Sequence, residues 1–227
     1  MKDVTYRLED GPFTFPENLT DCVSSVFRGE YSLPDLPDMP PVATVLDLGA
    51  NVGAFARWAR QKWPLCRVTS FEPHPGAREY FVRNCLQYTE LVPKALSASA
   101  PEPAILHEGT DWGMNSLFTD LDQRVQDGRA LKVETMHPRD LPPCDVLKID
   151  AEGVERDILE HYPHLQKVGI LLFEWHREKD RRACEFMAER VGLRLFVAHQ
   201  AMACQGVQRW VRSKAVFDHR KRAYVLP

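Results

Sequence analysis

Val45-Leu46-Asp47-Leu48-Gly49-Ala50-Asn51-Val52-Gly53, running on into Ala54-Phe55-Ala56-Arg57-Trp58-Ala59-Arg60-Gln61-Lys62, is the stretch whose reading decides the fold. Residues 43–48 form a short apolar run, hence a buried strand, and over residues 53–62 the spacing of Phe55, Trp58 and Ala59 predicts a helix. The glycines between them let a ligand approach backbone where a side chain would collide. Working outward, residues 68–71 predict a second strand, 75–86 a second helix with Pro75 in its first turn, and 91–95 a third strand. Residues 98–141 are polar and irregular, with short strands expected near 104–107 and 131–135. A strand at 145–149, a helix at 154–161, a strand at 168–174, a helix at 179–191 and strands at 193–197 and 223–226 complete the pattern. Strand and helix alternating at this spacing predict an α/β fold, a mostly parallel sheet covered by helices on both faces. In such sheets ligands sit outside the carboxyl ends of the strands, near the topological switch point.

Two cofactor classes use a glycine turn of this kind. A dinucleotide site wants Gly-x-Gly-x-x-Gly, with a pyrophosphate on the helix N-terminus. Here Asn51 stands at the middle glycine and Asp47 lies two residues before Gly49. A carboxylate at the strand end repels a pyrophosphate but suits the ammonium of a methionine moiety. S-adenosylmethionine carries that ammonium and no phosphate. Glu72 closes the second strand, and an acidic residue about 20 positions after the turn commonly bonds ribose hydroxyls. Asn51 and Asp47 together disfavour a dehydrogenase.

The blocks LDLGANVGAFARWA (46–59), SFEPHPGAREYFVRN (70–84), PKALSAS (93–99), NSLF (115–118), VLKIDAEGVERDIL (146–159) and ILLFEWH (170–176) occur in this order. Together they resemble the successive blocks of FkbM-type methyltransferases, and the Asp-x-Glu-Gly segment is the most distinctive of them. The resemblance implies a Rossmann-like class I fold with a mostly parallel seven-stranded sheet, S-adenosylmethionine as methyl donor, and O-methylation of a small molecule or sugar. By matching position, Asp47, Gly49, Ala50, Asn51, Gly53, Glu72, Pro73 and His74 would surround the cofactor, with Ala95 near the adenine. Asp150 and Glu152 would lie at the catalytic end of the fourth strand. Tyr224 to Pro227 resemble the family's last strand. Residues 1–43, read as an N-terminal cap before a methyltransferase domain at 44–227, match none of the blocks; nor do residues 199–222. Acceptor specificity is expected there. The cap should contain a helix over about 19–27, begun by Pro16-Glu17-Asn18, and a proline-rich connector at 33–41.

Methyl transfer is an in-line displacement, and a hydroxyl acceptor must also lose its proton. Asp150 and Glu152 follow an apolar strand that ends in the cleft, so either could act as a base, hold a metal or bind the reactants. Acidic residues in a first helical turn also simply favour the helix dipole. Lys148, inside that strand, should meet a carboxylate, because a buried lysine is rarely unpaired, or else face the acceptor. Glu174 and His176 alternate with Trp175 and share one strand face. His176 is a candidate base or else a surface histidine beside Arg177, and His74 is expected to border the adenosine. Asn115 and Ser116 lie in an irregular segment, 109–118, that reads either as an acceptor-binding lid or as a surface excursion. Asp150, Glu152 and Glu174 could gather hard oxygen ligands for Mg²⁺, although this motif has non-metal uses.

The remaining features narrow the class. A chain of 227 residues with 44% hydrophobic and 27% charged residues fits one large globular domain. Its net charge of −3 supplies no overall basic field for nucleic acid or membrane. The basic run 209–222, with Trp210 and Phe217, reads as an amphipathic solvated face. Six scattered cysteines without a Cys-x-x-Cys pair read as free thiols of a cytoplasmic protein. The N-terminus lacks an apolar signal sequence, and no run approaches the ~20 apolar residues of a membrane span. The expected partner is a small-molecule or sugar acceptor, with homo-oligomerisation left open. The rival activities are N-methylation, which needs less base catalysis, and non-catalytic nucleotide binding.

Overall fold

The computed structural model describes residues 2–85, 87, 89–109, 112–117, 125–202 and 205–227. A hairpin of β1 (Asp3–Leu8) and β2 (Gly11–Pro16) leads into α1 (Thr20–Phe27). The first wind of the core follows as β3 (Thr44–Leu48), α2 (Ala54–Lys62), β4 (Arg67–Phe71), α3 (Pro75–Cys85) and β5 (Thr89–Val92). An excursion then carries four short strands, β6 (Ala95–Leu96), β7 (Ala104–Gly109), β8 (Val125–Val133) and β9 (Thr135–Met136). The second wind is β10 (Val146–Ile149), α4 (Glu155–His161), β11 (Ile170–Trp175), α5 (Glu178–Arg190), β12 (Arg194–Met202) and β13 (Gln205–Val211). A small ladder of β14 (Val216–Asp218) and β15 (Ala223–Val225) closes the chain.

The central sheet has seven strands in the order β12-β13-β11-β10-β3-β4-β5, with β13 antiparallel to both neighbours. The chain starts at β3, winds outward to β5, then returns to β10 on the other flank of β3. The switch point therefore lies between β3 and β10, from which the chain continues to opposite flanks of the sheet. Both sheet faces are buried because successive side chains enter different cores. Val45, Val68, Val146 and Leu172 pack with Val23 of α1, Phe55 of α2 and Phe81 of α3. Leu46, Phe71, Leu147 and Phe173 pack with Ile158 of α4 and Cys184 and Ala188 of α5. Each such fully buried side chain contributes about 1.5–3 kcal/mol. The fold is thus the α/β arrangement expected, mostly parallel and covered on both faces.

Several boundaries differ from the sequence reading. The single strand expected over 91–95 is two, β5 and β6 in separate sheets, because Pro93 between them has no N–H for a ladder. The hairpin β1–β2 was not anticipated, yet Phe13 and Phe15 are completely buried in the core that holds Val45 and Phe55. The solvated face expected over 209–222 is corrected at its start. Residues 209–211 belong to β13, and Trp210 is 1% exposed against α4 and α5. The last expected strand forms as β15 but pairs with β14 outside the central sheet. Leu86, at the expected end of α3, lies outside the described residues, as does Cys204. The other five cysteines form no disulfide with one another. No helix among the described residues is long and apolar enough to cross a membrane.

Candidate active site

Backbone geometry builds the site first. Gly49 follows β3 with φ at +81°, and a Cβ there would lie 1.7 Å from the carbonyl oxygen of Asp150. Only glycine lets the loops after β3 and β10 approach so closely. Asn51 takes a left-handed φ of 48°, and its N–H donates to Glu72 Oε2 at 2.8 Å. Glu72 Oε1 accepts the His74 N–H at 2.8 Å, so one carboxylate ties together the loops after β3 and β4. Burial pushes the Glu72 carboxyl up to about 7, against the pull of those two N–H groups. Over these loops opens a cleft of about 490 Å³.

The cleft is lined by Gly49, Ala50, Asn51, Glu72, Pro73 and Ala95, and also by Asp150, Glu152, Glu174 and Asn115. The Asn51 Oδ1 and Asn115 Nδ2 atoms are buried without a hydrogen-bond partner among the described residues. Asn115 Oδ1 accepts the Gly109 N–H at 3.0 Å, which folds the 112–117 segment back onto β7. Residues 110, 111 and 118 of the expected lid lie outside the described residues.

Five expected site residues stand behind the cleft wall. Asp47 is fully buried and meets Lys148 at 3.2 Å and the Ser70 hydroxyl at 3.2 Å, which corrects the expectation that it faces a ligand ammonium directly. Parallel pairing in register sets Asp47 of β3 beside Lys148 of β10 and directs both to the α2 side. Gly53 turns the chain into α2, where an added Cβ would sit 2.6 Å from Cys85 Sγ. His74 accepts the Ala77 N–H at Nδ1, so its ring proton sits on Nε2 and donates to Glu108 at 3.0 Å. The His74 ring also lies against Trp112, with centroids 5.2 Å apart. Ser116 is buried, and its hydroxyl donates to the Glu152 carbonyl at 2.7 Å. His176 is not the surface histidine considered above: its side chain is 7% exposed.

Charge is concentrated around Asp150 and Glu174. Lys148 Nζ donates to the Gly49 carbonyl at 2.6 Å and lies 3.5 Å from Asp150 Oδ2. Burial would lower the Lys148 pKa, but the Asp47 and Asp150 carboxylates hold it above its usual range. Burial, reinforced by Asp150, pushes Glu174 well above the usual carboxylate range, while its Oε1 accepts from Gln205 Nε2 at 2.6 Å. Asp150, Glu174 and His176 bring one ligand atom each within 4.8 Å of one another. Mg²⁺ prefers an octahedron of oxygen ligands. Both His176 nitrogens already face carboxylates, so this donor set does not fit Mg²⁺, and Glu152 is turned towards that imidazole.

Sequence reading missed two groups. Glu155 is 1% exposed and sits at the start of α4, where an acidic residue gives no signal beyond the ordinary helix preference. Asn18, Asp21, Cys22, Ser25, Glu30 and Tyr31 also line the cleft, although they precede every recognisable motif. Only the fold of β1, β2 and α1 against α2 brings them there.

A doubly wound sheet whose cleft is walled by a glycine turn, a carboxylate after β4 and an acidic β10 terminus defines a class I methyltransferase architecture. The chain belongs to the FkbM methyltransferase domain family, whose sequence profile matches residues 47–202. It is 25% identical over 207 residues to the AMB antimetabolite synthetase AmbE of Pseudomonas aeruginosa, covering 72% of this chain and 10% of that protein. It is 23% identical over 181 residues to the methyltransferase sdnD of Sordaria araneosa, covering 62% of this chain and 70% of that one. Methyltransferase 1 of Beauveria bassiana is 23% identical over 168 residues, covering 61% and 68% of the two chains. The chain thus spans about a tenth of the first of these relatives. Among solved structures, the precorrin-6y C5,15-methyltransferase of Geobacter metallireducens is similar with a TM-score of 0.49 and 13% identity, over 88% of this chain and 94% of that one.

Proposed function

We propose that this methyltransferase uses S-adenosylmethionine to methylate a hydroxyl of a small molecule or sugar, with Asp150 receiving the hydroxyl proton. The observation that carries this reading is the place of Asp150. It ends β10 on the cleft wall beside the Gly49 loop, and its side chain stays 23% exposed while Lys148 lies 3.5 Å from one carboxylate oxygen.

The residues present fit the donor. The Glu72 carboxylate can accept ribose hydroxyls, the orphaned Asn51 Oδ1 can accept a further donor, and Ala95 leaves room for a flat base. Asp47 contributes through Lys148 rather than by contact. When bound, S-adenosylmethionine supplies an electrophilic methyl group on sulfur. The protein's share is to orient the acceptor oxygen, keep water away from it and take its proton on an Asp150 oxygen as the oxygen–carbon bond forms. Asn18, Asp21, Ser25, Glu30 and Tyr31 also line the cleft, which supports a part for the N-terminal segment in acceptor choice.

The test is a screen of hydroxylated and amine acceptors for release of S-adenosylhomocysteine, paired with calorimetry of donor binding. Asp150→Asn should keep donor affinity and slow transfer by about 10²–10⁴-fold, the usual contribution of a general base. Turnover within about twofold of wild type would remove Asp150 from the chemistry. Turnover confined to amine acceptors would replace O-methylation with N-methylation.

A further inference from the structure

His176 lies just beyond β11 with its ring between two carboxylates. Nδ1 shares a hydrogen bond with Glu155 Oε1 at 2.9 Å, and Nε2 lies at the ion-pair distance of 3.2 Å from Glu152 Oε2 without hydrogen-bond alignment. Glu155 is almost wholly buried, and the same Oε1 accepts the Gly153 N–H at 2.9 Å. A neutral imidazole has one N–H and one bare lone pair, so it would set that lone pair against one of the two carboxylates. The arrangement therefore holds the ring as an imidazolium, which has no lone pair to receive a proton from an acceptor. Electrostatics agree. Burial would depress the His176 pKa, but Glu152 and Glu155 outweigh burial and hold it well above the usual histidine range. Glu155 in turn falls below its usual range despite burial, because His176 faces it.

Glu152 is constrained from two more directions. Its φ of 51° is left-handed, a conformation that ordinarily costs a non-glycine residue about 1–3 kcal/mol and persists only where surroundings over-determine it. Its carbonyl accepts the Ser116 hydroxyl at 2.7 Å, so the 112–117 segment and His176 grip the backbone and the carboxylate of one residue. The other charged groups around the ring are Glu174, 3.9 Å from Nε2 on the same strand, and Asp150 from the end of β10. The neighbouring Arg177 is engaged with Asp180 at 3.8 Å.

We propose that His176 is a positioning residue and not the acceptor's base: clamped between Glu155 and Glu152, it fixes the Glu152 carboxylate on the acceptor side of the cleft. Its meaning for methyl transfer rests on the function proposed above, but its test needs neither donor nor acceptor. A failure here leaves that function standing, and a failure to bind donor leaves this clamp standing.

The experiment is nitrogen-15 and carbon-13 NMR titration of the full chain. Both ring nitrogens of His176 should be protonated at pH 7.5, with a midpoint at least about one pH unit above the ordinary ~6.5. In His176→Gln the Glu152 carboxyl midpoint should rise by about one pH unit, since an opposing cation is lost while burial and the Asp150 and Glu155 carboxylates still push it up. An exposed reference carboxyl should not move. A space-filling histidine would leave the Glu152 midpoint where it was. Finding His176 as a neutral tautomer at pH 7.5, or an unmoved Glu152 midpoint in a folded His176→Gln chain, overturns the proposal. Should that variant not fold, the wild-type ring spectrum alone decides.

Discussion

Glu72 shows how a single residue can couple folding to ligand binding. Its carboxylate already accepts two backbone N–H groups, and burial has moved its pKa to about 7. The ionised form is the one that can accept ribose hydroxyls. Affinity for S-adenosylhomocysteine should therefore be level above pH ~7 and fall about tenfold per pH unit below it, as calorimetry from pH 5.5 to 8.5 would show. Glu72→Gln should flatten that profile and weaken binding by about 1.5–3 kcal/mol. The same raised pKa has an opposite sign for the empty fold. A carboxyl protonated in the folded chain and ionised in the unfolded one costs stability as pH rises from ~4.3 towards ~7. Gly49 makes a sharper prediction. An alanine there combines a left-handed φ with a Cβ 1.7 Å from the Asp150 carbonyl, so the loops must part. Gly49→Ala should cost about 2–4 kcal/mol in urea unfolding, from strain and overpacking together, and a loss under half a kcal/mol would show that the loops are not so tightly apposed.

At the scale of elements, β10 and β13 do what the sequence disguised. Lys148 interrupts an apolar strand, yet register with β3 places its ammonium against Asp47 and the end of its own strand brings Asp150 within reach. Lys148→Met should leave Asp47 buried and uncompensated, costing about 3–5 kcal/mol. Adding Asp47→Asn should recover part of that loss, so a double-mutant cycle that came out additive would argue against the pair. β13 runs antiparallel between β11 and β12 and sends Trp210 into the core under α4 and α5. Trp210→Ala should cost about 3–5 kcal/mol by the cavity it leaves. A solvated face, the reading invited by the many arginines and lysines around it, would cost almost nothing; the denaturation midpoint separates the two.

For the whole molecule, the cleft draws on both winds of the sheet and on the segment before β3, so occupancy should stabilise all of them together. At a hundredfold excess over its dissociation constant, S-adenosylhomocysteine should add about 2.7 kcal/mol, read as a single shifted melting transition. NAD should produce no shift, since Asn51 stands where a pyrophosphate-binding turn has its middle glycine. Chelation should leave both the melting curve and turnover unchanged, because the His176 ring lies against Glu155 and Glu152 and the donor set does not fit Mg²⁺; restoration of lost activity by Mg²⁺ would reverse that conclusion.

The wound α/β pattern, the glycine turn at Gly49 and the carboxylates Glu72 and Asp150 were determined by local sequence. Strand and helix periodicity is a short-range property, and a turn that admits only glycine advertises itself. The direction of each side chain beyond that turn was a different matter. Asp47 reads as a ligand contact and is instead the buried partner of Lys148, while His176, which reads as a base or a surface histidine, lies between Glu152 and Glu155. The cap residues Asp21, Glu30 and Tyr31 carry no motif and still line the cleft. These outcomes depend on register between strands, on the packing of α1 against α2 and on charges meeting from distant segments. Such contacts are set by burial and electrostatics summed over the fold, which no window of sequence contains.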